Sequence, residues 1–331
     1  MRFAINGFGR IGRMILRIAI ERNVDIVAIN DPFINADYMA YLLKHDSVHR
    51  KFNGTVSNEN KNLVINKKTI KVYSFLNPEE IPWGESEVDV VFECTGVFTT
   101  VEMANGHLEG GAKKVIISAP SKDAKMYVMG VNHQELSIND LIVSNGSCTT
   151  NCLAPLAKVL SDNFGIEEGL MTTVHSYTAT QSIVDGPSRK DWKDGRAAAL
   201  NIIPSTTGAA KSISKVCPQL EGKLTGMAFR VPTPNVSVVD LSVRLTNPTT
   251  LEQVNAAIKI ACDSYLNGIL EYAEKDQVSS DFIGNTCSSI YDSSSSLMLN
   301  GTFGKFISWY DNECGFSARM IDLAQHMMSL E

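Results

Sequence analysis

Phe3-Ala4-Ile5-Asn6-Gly7-Phe8-Gly9-Arg10-Ile11-Gly12 is the stretch from which the rest of the chain can be read. Phe3 to Asn6 has the look of a short apolar strand. Three glycines follow in the order G-x-G-x-x-G, and Met14, Leu16 and Ile18 then carry a helical pattern to about Arg22. A second strand, Asp25-Ile26-Val27-Ala28-Ile29-Asn30, ends against Asp31. Glycines in this order are weak evidence alone. Placed between a strand and a helix, with an acid closing the next strand, they match a dinucleotide-binding βαβ unit. Gly7 then permits the tight turn, Gly9 lets backbone approach a pyrophosphate, and Gly12 lets the helix pack on the strand. The helix N-terminus receives the pyrophosphate, and Asp31 accepts from the ribose hydroxyls. A carboxylate there repels a 2′-phosphate, so NAD is expected rather than NADP.

The following segments extend this unit into a doubly wound sheet. Ala36 to Lys44 is a helix, and residues 53 to 75 alternate as hairpins. Val88 to Gly96, Lys114 to Pro120 and Leu141 to Ser144 are buried strands, most of them ending in small or polar residues. Ligands of such sheets sit at the carboxyl ends of the strands. The last of these strands runs into Ser144-Asn145-Gly146-Ser147-Cys148-Thr149-Thr150-Asn151-Cys152, with an apolar helical run from Leu153 to Leu160 behind it. A helix N-terminus lowers the pKa of a thiol, and only the thiolate is an effective nucleophile. Cys148 has polar neighbours, whereas Cys152 leads into the apolar run and reads as packing.

Bulk properties narrow the class. The chain has 331 residues, enough for two domains, and its net charge of −6 argues against a dedicated nucleic-acid binder. It has no apolar run of about 20 residues, the length of a membrane span, and its start lacks signal-peptide architecture. Seven cysteines without paired CxxC spacings point to free thiols in a reducing, cytoplasmic setting, with no metal site expected. The second half has long alternating strands and few helices, which predicts a mostly antiparallel sheet. Between them lies a long irregular segment from Asp185 to Gly208, and Ser317 to Leu330 has helical spacing. The fold expected is therefore α/β, a Rossmann-type domain followed by an α+β domain.

The residue types suggest a chemistry. A thiolate beside an imidazole and a nicotinamide can add to an aldehyde, pass hydride to NAD and leave a thioester for a second nucleophile. His175, at a strand end beside Ser176, Thr178 and Thr180, is the best base; His45, His49, His107, His133 and His326 lie in helices or near expected surface turns. Ser147, Thr149, Thr178, Thr206, Thr207, Gly208, Arg196 and Arg230 are the anion-binding candidates.

The residues also resemble a known family along the whole chain. Asn6 to Arg13, Ala28 to Asp31, Ser147-Cys148-Thr149-Thr150-Asn151-Cys152-Leu153-Ala154-Pro155, Asn201 to Pro204, Thr207 to Lys211, Arg230 to Pro234 and Ser308 to Glu313 resemble the phosphorylating, NAD-dependent glyceraldehyde-3-phosphate dehydrogenases. The resemblance implies an NAD domain over 1–148, with a helix at 315–331 packing back on it, and a catalytic domain over 149–314. It implies that Cys148 is the nucleophile and His175 its activator. Arg10, Ile11, Asp31, Ser118 and Asn312 match NAD contacts. Thr178 and Arg230 match the site for the substrate's phosphate, and Ser147, Thr149, Thr207 and Gly208 the site for inorganic phosphate. It further implies glycolytic oxidation of glyceraldehyde 3-phosphate in a cytoplasmic homotetramer, with residues 180 to 205 bordering the neighbouring cofactor. Pro187 matches the NAD-preferring pattern. The chain departs from the family at Pro32, Asn77, Gly146, Cys314 and Phe316. Erythrose-4-phosphate dehydrogenase, which releases its acyl group to water, and a non-enzymatic binding role on the same fold are the alternatives.

Overall fold

The computed structural model describes residues 1–188 and 191–331; Arg189 and Lys190 of the long loop segment lie outside the described residues. The chain forms two compact units. The first comprises 1–129, 133–147 and 317–331, and the second 130–132 and 148–316.

The first unit contains β1 (Phe3–Asn6), α1 (Arg10–Glu21), β2 (Ile26–Asn30), α2 (Ala36–Lys44), β3 (Val56–Glu59), β4 (Asn62–Ile65), β5 (Lys68–Tyr73), β6 (Val90–Glu93), α3 (Val101–Ala104), α4 (Gly106–Glu109), β7 (Lys114–Ile117), β8 (Lys125–Met126) and β9 (Ile142–Ser144). Its sheet runs in the order β3-β4-β5-β2-β1-β6-β7-β9-β8. The strands from β5 to β8 pair in parallel, and the antiparallel β3–β4–β5 ribbon closes one edge. Successive strands go one way from β1 through β2 and the other way from β6, so the order reverses between β1 and β6. Ligands of doubly wound sheets bind at that switch. The central strands are buried on both faces, as Ile5, Ile29, Val91 and Phe92 show. Runs of apolar residues without alternation are the consequence.

The second unit contains α5 (Cys148–Phe164), β10 (Ile166–Ser176), β11 (Ile203–Thr206), α6 (Ala209–Ser212), β12 (Leu224–Val231), β13 (Ser237–Leu245), α7 (Leu251–Asp263), β14 (Leu270–Tyr272), β15 (Ser289–Met298) and β16 (Phe303–Tyr310). Its sheet order is β11-β12-β10-β13-β16-β15-β14. Four of the six pairings are antiparallel; β10–β12 and β14–β15 are parallel. α5 lies against β13, β15 and β16. The last helix, α8 (Cys314–Ser329), belongs to the first unit from Ser317 onward. There Lys114 Nζ donates to the Met327 carbonyl and Arg22 pairs with Asp322.

Two details differ from the sequence reading, those at 185–208 and at His107, and β15 adds a third feature. The segment 185–208 is not irregular throughout: Ile203–Thr206 is an edge strand, a place where Pro204 needs no ladder N–H. Ser293 to Ser296 lie inside β15, where the pairing with β16 shifts between Asp292 and Leu297 and the Asp292 carboxylate accepts from Ser294 and Ser295. His107 is not at a surface turn but fully buried in α4.

Candidate active site

The three glycines of the loop differ in what surrounds them. Gly7 has φ +94°, and a Cβ there would lie 2.8 Å from the Thr95 backbone nitrogen at the end of β6. A Cβ on Gly12 would lie 2.2 Å from the Gly7 carbonyl oxygen and 3.0 Å from Ile5, so only glycine lets α1 approach β1. A Cβ on Gly9 would meet nothing within 4 Å. Gly9 is also the N-cap of α1 and brings no side chain to the first-turn N–H groups, which a helix leaves without intrahelical partners. An open cradle at an uncapped helix start suits the pyrophosphate of NAD.

Asp31 follows β2 and does two things. Its Oδ2 accepts from Phe8 N and its Oδ1 from Phe33 N, both at 2.9 Å. Each oxygen has a further lone pair for a ribose hydroxyl. Arg10 and Ile11 begin α1, and the Arg10 side chain pairs with Asp46. Burial alone would raise the Asp46 pKa, but Arg10 and the N–H groups of His49 and Val48 bring it down to about 2. Ser118 stands just past β7, where its N–H donates to the Glu93 carbonyl.

In the second unit, Cys148 is the first residue of α5. Its Sγ lies 3.5 Å from His175 Nε2. His175 is near the end of β10, and the parallel register places it opposite Arg230 of β12. Arg230 Nη1 is 2.7 Å from His175 Nδ1 and donates to the Ser176 carbonyl at 3.2 Å. These three side chains, distant in sequence, form one contact chain.

Their ionisation differs from the simple helix-terminus expectation. Burial pushes the Cys148 thiol up, against the lowering effects of the Arg230 charge and of hydrogen bonds from Thr149. Burial, then the Arg230 charge, brings His175 down to about 3. Both shifts favour the uncharged thiol and the uncharged imidazole. Cys152, by contrast, is fully buried, donates weakly toward Ser289 and Ser308, and has its pKa pushed by burial to about 12.

The remaining candidates have contacts of their own. Asn312 Oδ1 accepts from Ser176 Oγ at 2.9 Å and Ser237 Oγ at 3.1 Å, which directs its NH2 away from both hydroxyls. Thr149 Oγ1 is 2.9 Å from the Tyr310 hydroxyl, which also lies 2.8 Å from Thr173 Oγ1. Thr178, two residues beyond β10, has its hydroxyl 3.0 Å from that of Thr180. Thr207 accepts from Ala209 N, and Gly208 precedes α6 with open space at its Cβ position. Both follow Thr206, which pairs with Met227, three positions along β12 from Arg230. Ser147 immediately precedes the nucleophile candidate and closes a segment of the first unit.

Residue typing missed Tyr310. Its buried ring stands edge-on to His175, with centroids 5.9 Å apart, while its hydroxyl joins two threonines. Only its place in Ser308-Trp309-Tyr310 could have drawn attention to it.

Comparison with known proteins shows the family. Residues 1–101 match the model of the glyceraldehyde 3-phosphate dehydrogenase NAD binding domain, and residues 147–312 match that of the C-terminal domain. A glyceraldehyde-3-phosphate dehydrogenase of Phytophthora infestans is 57% identical over 332 residues, covering all of both chains. The chain belongs to the glyceraldehyde-3-phosphate dehydrogenase family. The enzyme of that name from Ogataea parapolymorpha is 59% identical over 98% of this chain and 97% of its own. Glyceraldehyde-3-phosphate dehydrogenase 2 of Caenorhabditis elegans is 59% identical with the same coverage. The family is one of NAD-dependent oxidoreductases, and the glycine cradle, Asp31 and the α1 start fit that cofactor.

Proposed function

We infer that this chain oxidises D-glyceraldehyde 3-phosphate to 1,3-bisphosphoglycerate, taking up inorganic phosphate in the glycolytic reaction of its family. The observation that carries the reading is the contact of Cys148 Sγ with His175 Nε2 beside the Arg230 guanidinium. Cys148 sulfur adds to the aldehyde carbon, and the new oxygen takes a proton to give a thiohemiacetal on the enzyme. His175 removes that hydroxyl proton as the carbon is oxidised. Bound NAD supplies the hydride acceptor for this oxidation. The resulting Cys148 thioester is attacked by a phosphate oxygen, the C–S bond breaks, and the thiolate leaves with an acyl phosphate as product. Arg230 and Thr178 hold the phosphate of the substrate, a role suited to a guanidinium fork and a hydroxyl at neighbouring strand ends. Ser147, Thr149, Thr207 and Gly208 hold the attacking phosphate. Asn312 presents its NH2 to the nicotinamide carboxamide, its own oxygen being held by two serines. Arg10, Ile11, Gly7, Gly9, Gly12, Asp31 and Ser118 bind the rest of the dinucleotide.

The working assembly is a homotetramer in the cytoplasm. The long segment exposes Ile183, Val184, Trp192, Leu200 and Ile202, an apolar set that favours burial against another subunit. All seven cysteines are free, as suits a reducing compartment, and among the described residues no helix is long and apolar enough to cross a membrane. Phosphate-dependent NADH formation from glyceraldehyde 3-phosphate tests the reaction; formation at the same rate without phosphate would reject it. Sedimentation of the purified chain tests the tetramer.

A further inference from the structure

We propose that Asn235-Val236-Ser237 is a strained brace that aims Asn312, and that Ser237 and Ser176 are positioning residues for the nicotinamide end of the cofactor. Val236 has φ +67°, in the left-handed region, and its side chain is buried. That region is costly for any L-residue, and a β-branched one is a true outlier there. Such strain persists only where the surrounding structure over-determines it, and it gathers at functional sites.

The neighbours of Val236 hold it from both sides. Asn235 Nδ2 donates to Asp311 Oδ2 at 2.8 Å, and Ser237 Oγ donates to Asn312 Oδ1 at 3.1 Å. The brace therefore grips two consecutive residues just past β16. In an extended chain Asn235 and Ser237 would stand about 6.6 Å apart. Asp311 and Asn312, being adjacent, have Cα atoms about 3.8 Å apart. The left-handed turn reconciles the two spacings. The Val236 side chain packs with Ala273, Phe282 and Ile290, and this burial holds the turn against its cost. Asn235 carries a second cost. With its NH2 on a carboxylate, its Oδ1 is buried and has no hydrogen-bond partner among the described residues. A segment that accepts both costs is arranged for more than stability.

The brace also fixes which end of the Asn312 amide faces out. Asp311 Oδ2 accepts from Gly284 N as well, and its Oδ1 accepts from Glu313 N and Cys314 N, so the carboxylate holds the backbone on the far side of Asn312. The Asn312 side chain meets two hydroxyls, Ser176 Oγ at 2.9 Å and Ser237 Oγ at 3.1 Å. Both serines are buried, and Ser237 Oγ already accepts from Ser176 N. Among the described contacts neither hydroxyl has another acceptor for its proton. Only the carbonyl end of the amide can take both protons, which puts Oδ1 toward the serines and the NH2 outward. Asn312 then offers donors alone and demands an acceptor, such as the carbonyl of a carboxamide. This role rests on the proposed contact of Asn312 with the nicotinamide.

Calorimetric titration of the full enzyme with NAD, and with ADP-ribose, which lacks the nicotinamide, tests the brace. The ratio of the two dissociation constants isolates that ring from the rest of the dinucleotide. Ser237→Ala should weaken NAD about fivefold or more and leave ADP-ribose within about twofold, the size expected for one lost hydrogen bond. Ser176→Ala should act in the same way, and it decides the matter if Ser237→Ala does not fold. Equal weakening of both ligands, or of neither, would overturn the brace. Asn312→Ala separates this outcome from the contact on which it rests. A collapsed ratio in Asn312→Ala beside a wild-type ratio in the serine variants removes the brace alone. A wild-type ratio in Asn312→Ala removes the nicotinamide contact, and the brace with it.

Discussion

His107 and Glu93 form a buried pair in the first unit, with His107 Nε2 2.9 Å from Glu93 Oε2 and both side chains closed to solvent. The Trp83 indole N–H donates to His107 Nδ1, so the imidazole is neutral and its proton sits on Nε2. The Glu93 carboxylate also accepts from Asn6 Nδ2, Thr95 N and Thr95 Oγ1. Asn6 in turn accepts from Asn30. One carboxylate therefore ties together the ends of β1 and β6, where the strand order reverses, and through Asn30 the end of β2. Gly7 and Asp31 are the next residues on two of these strands.

Glu93→Gln should accordingly weaken both stability and NAD binding. An amide keeps the shape but turns one acceptor oxygen into a donor facing other donors. Leaving such groups unmatched in a buried site costs about 3 kcal/mol. Urea denaturation should show this loss, and NAD titration should show weaker binding in the fraction that stays folded. Wild-type values for both would mean that the network does not position the loop.

The glycine loop was legible because its requirements are local: a tight turn, an open approach and a close helix contact each demand glycine within six residues. The Cys148–His175–Arg230 chain was legible only as residue types. Its geometry comes from the parallel register of β10 and β12, set by pairing across 55 residues. His107 was misplaced for the same reason, since its partners Trp83 and Glu93 stand 24 and 14 residues away. The edge strand at Ile203–Thr206 was hidden by Pro204.

Cys148, the proposed nucleophile, should resist alkylation at neutral pH when no ligand is bound. Burial raises the Cys148 pKa above its ordinary value of 9.0, so the thiolate fraction falls as pH drops below that value. At pH 7 the iodoacetamide reaction should run at about one hundredth or less of its limiting rate. The rate should climb through pH 9 without levelling off earlier. A plateau below pH 8 would show that the free enzyme already holds a thiolate. Cys148→Ser should lower turnover by about a thousandfold or more, because the alkoxide it would need is far harder to form.

Asp31 supports the loop, and ligand choice is the role proposed for it, so its removal should have two separable effects. Asp31→Gly deletes the acceptors for Phe8 N and Phe33 N along with the charge that repels a 2′-phosphate. Losing a charge-assisted hydrogen bond to ribose, worth about 1.5–3 kcal/mol, should weaken NAD about tenfold or more. NADP should lose less, so the ratio of kcat/KM values for NAD and NADP should fall. An unaltered ratio would assign Asp31 to the loop alone.

Gly146, where the family usually has alanine, can be judged from its backbone. Its φ is +70°, and a Cβ would lie 3.1 Å from Met126 Sδ. Its N–H donates to Ser144 Oγ, which holds the turn in place. The sulfur belongs to a flexible side chain and can yield, but the left-handed conformation still costs an L-residue about 1–2 kcal/mol. Gly146→Ala should therefore destabilise the protein by roughly that amount in urea. Turnover should be retained, because the Cys148, His175 and Arg230 contacts do not involve Gly146. Combining it with Met126→Ala isolates the two causes: the double variant should lose less than the sum of the single losses if the sulfur contact matters. A neutral or stabilising Gly146→Ala would mean that the turn relaxes, and that glycine at this position does not serve the backbone.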